Sequence, residues 1–255
     1  MIEALIMGIV QGLTEFLPVS STAHLILFPW FFHWGGELDS LSFDIALHAG
    51  TLLSLVICFW KDWVDLILRK RRLFMLIVLA SVPAGLAGFF LNDLVENTFR
   101  SPYVIVVSLV VFGCVMLIVE KMNHTKTFDR VTFADAITIG IAQAIALIPG
   151  VSRSGITISA GLFRGLEREA SARFSFLLSM PIIAGATLLH AIKLRTGQAD
   201  HTWEFFIIGF IASAITGYAA IKFLLSFFRK HPLHVFAYYR FALAAFITAG
   251  IWLRT

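Results

Sequence analysis

A chain of 255 residues with 58% hydrophobic residues, 25 Phe and only 14% charged residues has too little polar surface to coat a water-soluble domain, so it reads as an integral membrane protein. The net charge of +4 sits in short basic clusters between apolar runs, as orientation signals do, which argues against nucleic acid as a partner. Cys58 and Cys114 each fall inside a long apolar segment, so neither a disulfide framework nor a thiolate metal site is expected.

A spanning helix needs roughly 17 to 25 residues. The first apolar region, about 3 to 30, is interrupted by Pro18, with Ser20, Ser21 and Thr22 directly after it. Proline removes a ladder hydrogen bond and Ser or Thr caps a new helix, so the region reads as two half-helices joined by a polar turn. Uninterrupted spans follow at about 44 to 60, 73 to 91 and 103 to 120. A second broken region, about 134 to 163, turns at Pro149 and Gly150 and runs into Ser152 and Ser154. Three more spans lie at about 173 to 193, 205 to 228 and 235 to 253. No Lys or Arg precedes Lys61, so a cleaved signal peptide is not expected.

The two broken regions are related in sequence. In register, Gly8 matches Gly140, Ile9 matches Ile141, Gln11 matches Gln143, Val19 matches Val151, Ser20 matches Ser152 and Thr22 matches Ser154. The clusters Lys61 to Arg72, Lys121 to Arg130, Arg164 to Arg173 and Arg229 to Lys230 hold thirteen of the 20 lysines and arginines. The connections on the other side and the C-terminus hold Arg100, Lys193, Arg195 and Arg254, so the first group is expected in the cytoplasm and both termini outside. Three spans separate the broken regions, an odd number, so the two enter from opposite faces. The expected fold is therefore all-α and polytopic: a single membrane domain of six spans and two re-entrant helical hairpins, in inverted repeat halves of about 1–125 and 126–255. Irregular backbone at membrane depth survives only when buried in protein or lining a wet cavity, so the two turns are expected to meet.

Chemistry concentrates at those turns. Gln11 and Glu15, four apart, share a helix face, and either is a candidate metal ligand. Glu15 is alternatively a general base, His24 is a general acid or base, and Ser21, His24 and water are the candidate attacking groups. Arg153 takes the place of Ser21 in the second copy, and Leu147 that of Glu15. An Arg inside a membrane costs on the order of 2.5 to 3.5 kcal/mol on the lenient scale, so it calls for Glu15 as partner and an oxyanion such as phosphate as ligand. Glu15, Ser21, His24 and Arg153 are the catalytic candidates, and Thr22, Ser152, Ser154 and Arg153 the substrate-binding ones. Ser20 and Ser154 also read as helix caps, and Gln143 as a helix-to-helix hydrogen bond. Asp44 and His48 are placed to line the cavity entrance.

The runs Gln11 to Glu15, Phe16 to His24 and Pro149 to Thr157 closely resemble the undecaprenyl-pyrophosphate phosphatase family of the bacitracin-resistance type. The resemblance extends to Leu47 to Thr51 and to Arg164 through Phe176, covering essentially the whole chain. It implies hydrolysis of a C55 polyprenyl pyrophosphate to its monophosphate, which recycles the lipid carrier of cell-wall synthesis. It also implies a divalent cation, Mg²⁺ or Ca²⁺, and an outward-facing site in the bacterial cytoplasmic membrane. Membrane lipids and a second copy of the chain, in a homo-oligomer, are the further candidate partners. Gln11 stands where that family commonly has Glu, and Ala23 where it often has Gly. A transporter of a lipid phosphate or small anion is the rival class, because inverted repeats with broken helices also serve transport.

Overall fold

A computed structural model of the chain describes residues 1–94, 99, 101–194 and 203–253. Arg100, Arg195 and Arg254 lie outside the described residues, as does the side chain of Lys193. In chain order the α-helices are α1 (Ile2–Phe16), α2 (Ser21–Phe32), α3 (Leu41–Leu68), α4 (Arg71–Leu94), α5 (Pro102–Val119), α6 (Phe133–Ile145), α7 (Arg153–Phe163), α8 (Arg168–Leu194), α9 (Trp203–Phe228) and α10 (His234–Trp252). Among the described residues the β structure is one isolated bridge between Lys126 and Leu166.

Among the described residues six helices, α3, α4, α5, α8, α9 and α10, are long and apolar enough to cross a membrane, and the α1–α2 and α6–α7 pairs occupy the two broken regions. Phe89, Phe90, Val107, Ile118, Ile215 and Phe223 all point outward from these helices. A fold surrounded by water would hide such side chains; one surrounded by lipid tails need not.

The helices α3 and α8 overrun the expected spans. α3 continues past Trp60 to Leu68, and α8 begins at Arg168 rather than near Arg173. Hydropathy marks where a helix leaves lipid, not where its hydrogen-bond ladder stops, and both extensions are held by charge pairs. Asp62 on α3 meets Arg173 on α8, and Arg168 meets Glu120 beyond the end of α5. Further pairs join the same end of the molecule: Lys70 to Asp129 at 2.7 Å, Lys126 to Asp135 at 2.8 Å, Arg164 to Asp135 at 2.9 Å and Arg229 to Glu169 at 2.7 Å. All four basic connections therefore gather into one ionic collar.

The halves interlock. α1 packs along α9, and its sequence counterpart α6 packs along α4, while α3 meets α8 and α5 meets α10. Taking the helices five by five, each of these contacts maps onto another or onto itself, as an exchange of halves about an axis requires. The α1–α9 contact is close: a Cβ added to Gly8 would lie 2.6 Å from both the Ala212 Cβ and the Gly209 carbonyl oxygen. Small residues here let two backbones approach, the usual source of helix association in lipid.

Candidate active site

Both helix breaks have the same shape. Ser20 has φ 77° and ψ 95°, and Ser152, its counterpart, has φ 70° and ψ 110°. Positive φ on a non-glycine residue costs on the order of 1 to 3 kcal/mol, so the surroundings must hold each serine there. Each is the N-cap of the next helix: the Ser20 hydroxyl accepts the Ala23 N–H at 3.4 Å, and the Ser152 hydroxyl accepts the Gly155 N–H at 3.2 Å. Ser21 and Arg153 consequently occupy the first turn of α2 and α7, where unbonded N–H groups and the positive helix end favour an anion. Gly150 precedes the second cap with φ +90°, and a Cβ there would lie 2.8 Å from the Ile105 carbonyl oxygen, so only glycine fits.

Arg240 of α10 joins the two breaks. Fully buried, it donates to the Gly150 carbonyl at 2.7 Å, the Ser108 and Leu109 carbonyls at 3.3 Å and the Pro18 carbonyl at 3.5 Å. Carbonyls just past the ends of α1 and α6 carry negative helix-end charge, so a cation there is favourably placed. Sequence reasoning gave Arg240 no role, because its partners are backbone groups that leave no side-chain signature.

The two hairpins also meet through Glu15, which is 7% exposed. The Arg153 Nη2 donates to Glu15 Oε1 at 2.6 Å, the Ser21 hydroxyl donates to Oε2 at 2.6 Å, and the Gln11 amide donates to Oε2 at 3.1 Å. The expected Glu15–Arg153 partnership and the expected meeting of the turns are both present. Ser154 adds a third link, donating to the Leu17 carbonyl at 3.1 Å, and it does not cap α7.

This cluster forms one wall of a cavity of about 340 Å³. Glu15, Ser21, Thr22, Ser152 and Arg153 line it, with Asp44 and His48 from α3, Gln143 from α6 and Thr187 from α8. The α3 and α8 residues come from the ends of those helices remote from the ionic collar, so the cavity opens on the opposite side of the molecule.

Of the predicted residues, Ser154, His24 and Gln11 are not among those lining this cavity. The His24 Nδ1 donates to the Ser20 carbonyl at 2.7 Å, and its Nε2 meets the Tyr239 hydroxyl at 2.7 Å. Its ring faces a separate apolar groove lined by Leu27, Phe31, Leu243 and Phe246. At four residues from the cap and 3.6 residues per turn, it lies one turn beyond Ser20 and braces that carbonyl from behind. The imidazole at the carboxylate is His48, whose Nε2 lies 3.8 Å from Glu15 Oε2 while Nδ1 donates to the Asp44 carbonyl at 2.7 Å. The sequence signal for it was the placement of Asp44 and His48, one turn apart, at the mouth of the expected cavity.

Gln143 departs from expectation. It is 2% exposed, it lines the cavity, and neither its amide nitrogen nor its carbonyl oxygen has a hydrogen-bond partner. The Arg153 Nη1 and the Thr187 hydroxyl, both at the cavity, lack partners as well.

Gln11 and Glu15 do not by themselves build a metal centre. Both Glu15 oxygens already accept from Arg153, Ser21 and Gln11, and the unpartnered Gln11 carbonyl oxygen is buried away from the cavity. Among the described residues no group of three or more His, Cys, Asp and Glu is arranged to hold a metal ion. One carboxylate suffices for Mg²⁺ only when phosphate oxygens and water complete the shell.

The model of the family described as bacitracin resistance protein BacA matches residues 4–246. The chain is 55% identical over 245 residues to a protein of Thermodesulfovibrio yellowstonii named undecaprenyl-diphosphatase, covering 96% of this chain and 95% of that one. Proteins of the same name from Desulforudis audaxviator and Moorella thermoacetica are 46% identical over 247 residues and 44% identical over 262 residues. The first covers 93% of each chain, the second 99% of this chain and 98% of its own. With the match spanning nearly every helix, including both broken ones, the chain belongs to the bacitracin resistance protein BacA family.

Proposed function

We propose that this protein hydrolyses undecaprenyl pyrophosphate to the monophosphate and inorganic phosphate. The observation that carries the reading is the Ser21 hydroxyl donating to Glu15 at 2.6 Å while Arg153, from the other hairpin, holds the same carboxylate. A hydroxyl with a base at hydrogen-bond distance, at the open end of a helix, is an activated nucleophile beside an anion site.

The chemistry runs in two steps. Ser21 Oγ attacks the terminal phosphorus, Glu15 takes its proton, and the bond to the bridging oxygen breaks, releasing the lipid monophosphate. Water then attacks the phosphoserine, the proton held by Glu15 passes to Ser21 Oγ as its bond to phosphorus breaks, and the water protons leave with the freed phosphate. Arg153 and the N–H groups at the start of α2 and α7 stabilise the charge that builds on the phosphoryl oxygens. His48 lends positive charge when protonated, and His24 acts as a positioning residue through the Ser20 carbonyl. A divalent cation, if bound, would be held by phosphate oxygens and water beside the Glu15 carboxylate and would offset the phosphoryl charge.

The ionic collar, read as cytoplasmic, turns the cavity to the outer face of the bacterial cytoplasmic membrane. The polyprenyl tail stays in lipid while the headgroup enters between the hairpins. A transporter reading draws no support from the named relatives. Purified protein in detergent, given a polyprenyl pyrophosphate, is expected to release phosphate without any second compartment, and Ser21→Ala to lose that release. Failure of the wild type to release phosphate would overturn the reading.

A further inference from the structure

The two copies of the hairpin differ in what their glutamine does. In the first, the Gln11 amide donates to Glu15, four residues on, at 3.1 Å. In the second, Leu147 stands four residues after Gln143, so the same side chain has no carboxylate to meet. Gln143 nevertheless remains, 2% exposed, on the wall of the cavity, with both amide atoms unpartnered. A buried amide nitrogen without a partner carries a desolvation cost, which a ligand oxygen accepting from it would remove. Thr187 of α8, also on the lining, has an unpartnered hydroxyl too.

We propose that Gln143 and Thr187 form a second oxyanion subsite, on the α6 and α8 wall, which takes the phosphate that stays on the lipid while Ser21 and Arg153 hold the one that leaves. A ligand oxygen there stands where the Glu15 carboxylate stands for Gln11. The subsite is built of neutral donors, which fits its task. It must orient a phosphate that departs with the product, and a second guanidinium would retain that product.

This inference rests on the pyrophosphate reading and is tested beside it. The experiment compares wild type, Gln143→Leu and Thr187→Val in detergent, with farnesyl pyrophosphate as substrate and inorganic pyrophosphate and inorganic phosphate as inhibitors. In each variant KM should rise roughly tenfold, the loss expected when one hydrogen bond of about 1.4 kcal/mol to a charged phosphate disappears, with the effect falling on KM rather than kcat. Inhibition by inorganic pyrophosphate should weaken by a similar factor while inhibition by inorganic phosphate, which fills only the Ser21 and Arg153 side, stays as in wild type. If Gln143→Leu instead melts higher with KM unchanged, the amide is a packing defect and the subsite does not exist. An equal loss of affinity for both inhibitors would assign Gln143 to the leaving phosphate and also overturn the proposal. Should Gln143→Leu not fold, Thr187→Val alone decides it by the same two inhibitors. A wild type that hydrolyses nothing would instead defeat the underlying reading.

Discussion

Replacing Arg240 by Met removes a guanidinium from between the two helix breaks with little change of volume. The Gly150 bond, short and charge-assisted at 2.7 Å, contributes about 1.5 to 3 kcal/mol, and each longer bond, to Ser108, Leu109 and Pro18, about 0.5 kcal/mol. Together these give roughly 3 to 4.5 kcal/mol, and losing the burial cost of the charge returns part of it, so a net loss of about 3 kcal/mol is expected. For a chain of this size that lowers Tm in detergent by about 6 to 12 °C. Activity should fall with it, because Pro18 and Gly150 are two residues from the strained caps that aim Ser21 and Arg153. Arg240→Lys should recover part of the Tm, since an ammonium reaches fewer of the four carbonyls. The assay is thermal unfolding alongside phosphate release. A Met variant melting within about 2 °C of wild type would refute the clamp, since that corresponds to less than roughly 1 kcal/mol.

Arg153→Lys should behave nearly as badly as Arg153→Ala in kcat/KM, because an ammonium puts its donors on one nitrogen and lacks the planar fork that lets Nη2 hold Glu15 while Nη1 is presented to phosphate; retention of most activity would reduce Arg153 to a point charge. His48→Asn should lower kcat without lowering Tm, whereas His24→Asn should lower both, since its ring braces the Ser20 carbonyl and Tyr239; equal behaviour of the two would remove the distinction drawn between them. Asp135→Asn leaves the partly exposed Lys126 and Arg164 facing a neutral side chain, and a loss of about 1.5 to 3 kcal/mol is expected from the charge-assisted hydrogen bonds removed, read as a fall in Tm with KM unchanged. A single cysteine at position 126, in a background lacking Cys58 and Cys114, should resist an impermeant thiol reagent in intact cells; labelling from outside would reverse the proposed orientation.

Much of this architecture was legible in the sequence because lipid simplifies the problem. Length and hydropathy locate a spanning helix, and a proline followed by serines locates a break, whatever the packing. Ser20 and Ser152 could be paired from the repeat alone, and Glu15 and Arg153 followed from the cost of leaving a charge in lipid unpaired. What was not legible depended on the direction of side chains within a turn. His24 and Ser21 are three residues apart on one helix, so their side chains lie near each other along it, yet one faces the cavity and the other the groove beside α10. Arg240 reached the breaks through backbone carbonyls, which leave no local pattern, and His48, expected only at the cavity entrance, reached the carboxylate through the packing of α3.

The duplication itself carries a constraint on the chemistry. An exchange of halves brings the residues after each cap, Ser21 and Arg153, to opposite sides of one carboxylate. Had both copies kept Glu15, two carboxylates would share a buried site with a phosphate and repel it; two arginines there would hold a phosphate without any base to activate a hydroxyl. Divergence resolves this: one copy retains base and nucleophile, and the other supplies the cation that makes the buried base tolerable and a donor to the oxyanion. Leu147 fits the same arrangement, since an apolar side chain there adds no second carboxylate to the site and leaves Gln143 without an acceptor at the wall. Leu147→Glu is therefore expected to abolish phosphate release while supplying Gln143 with an acceptor. If that variant kept wild-type KM for a polyprenyl pyrophosphate, the pyrophosphate would not approach the α6 wall at all.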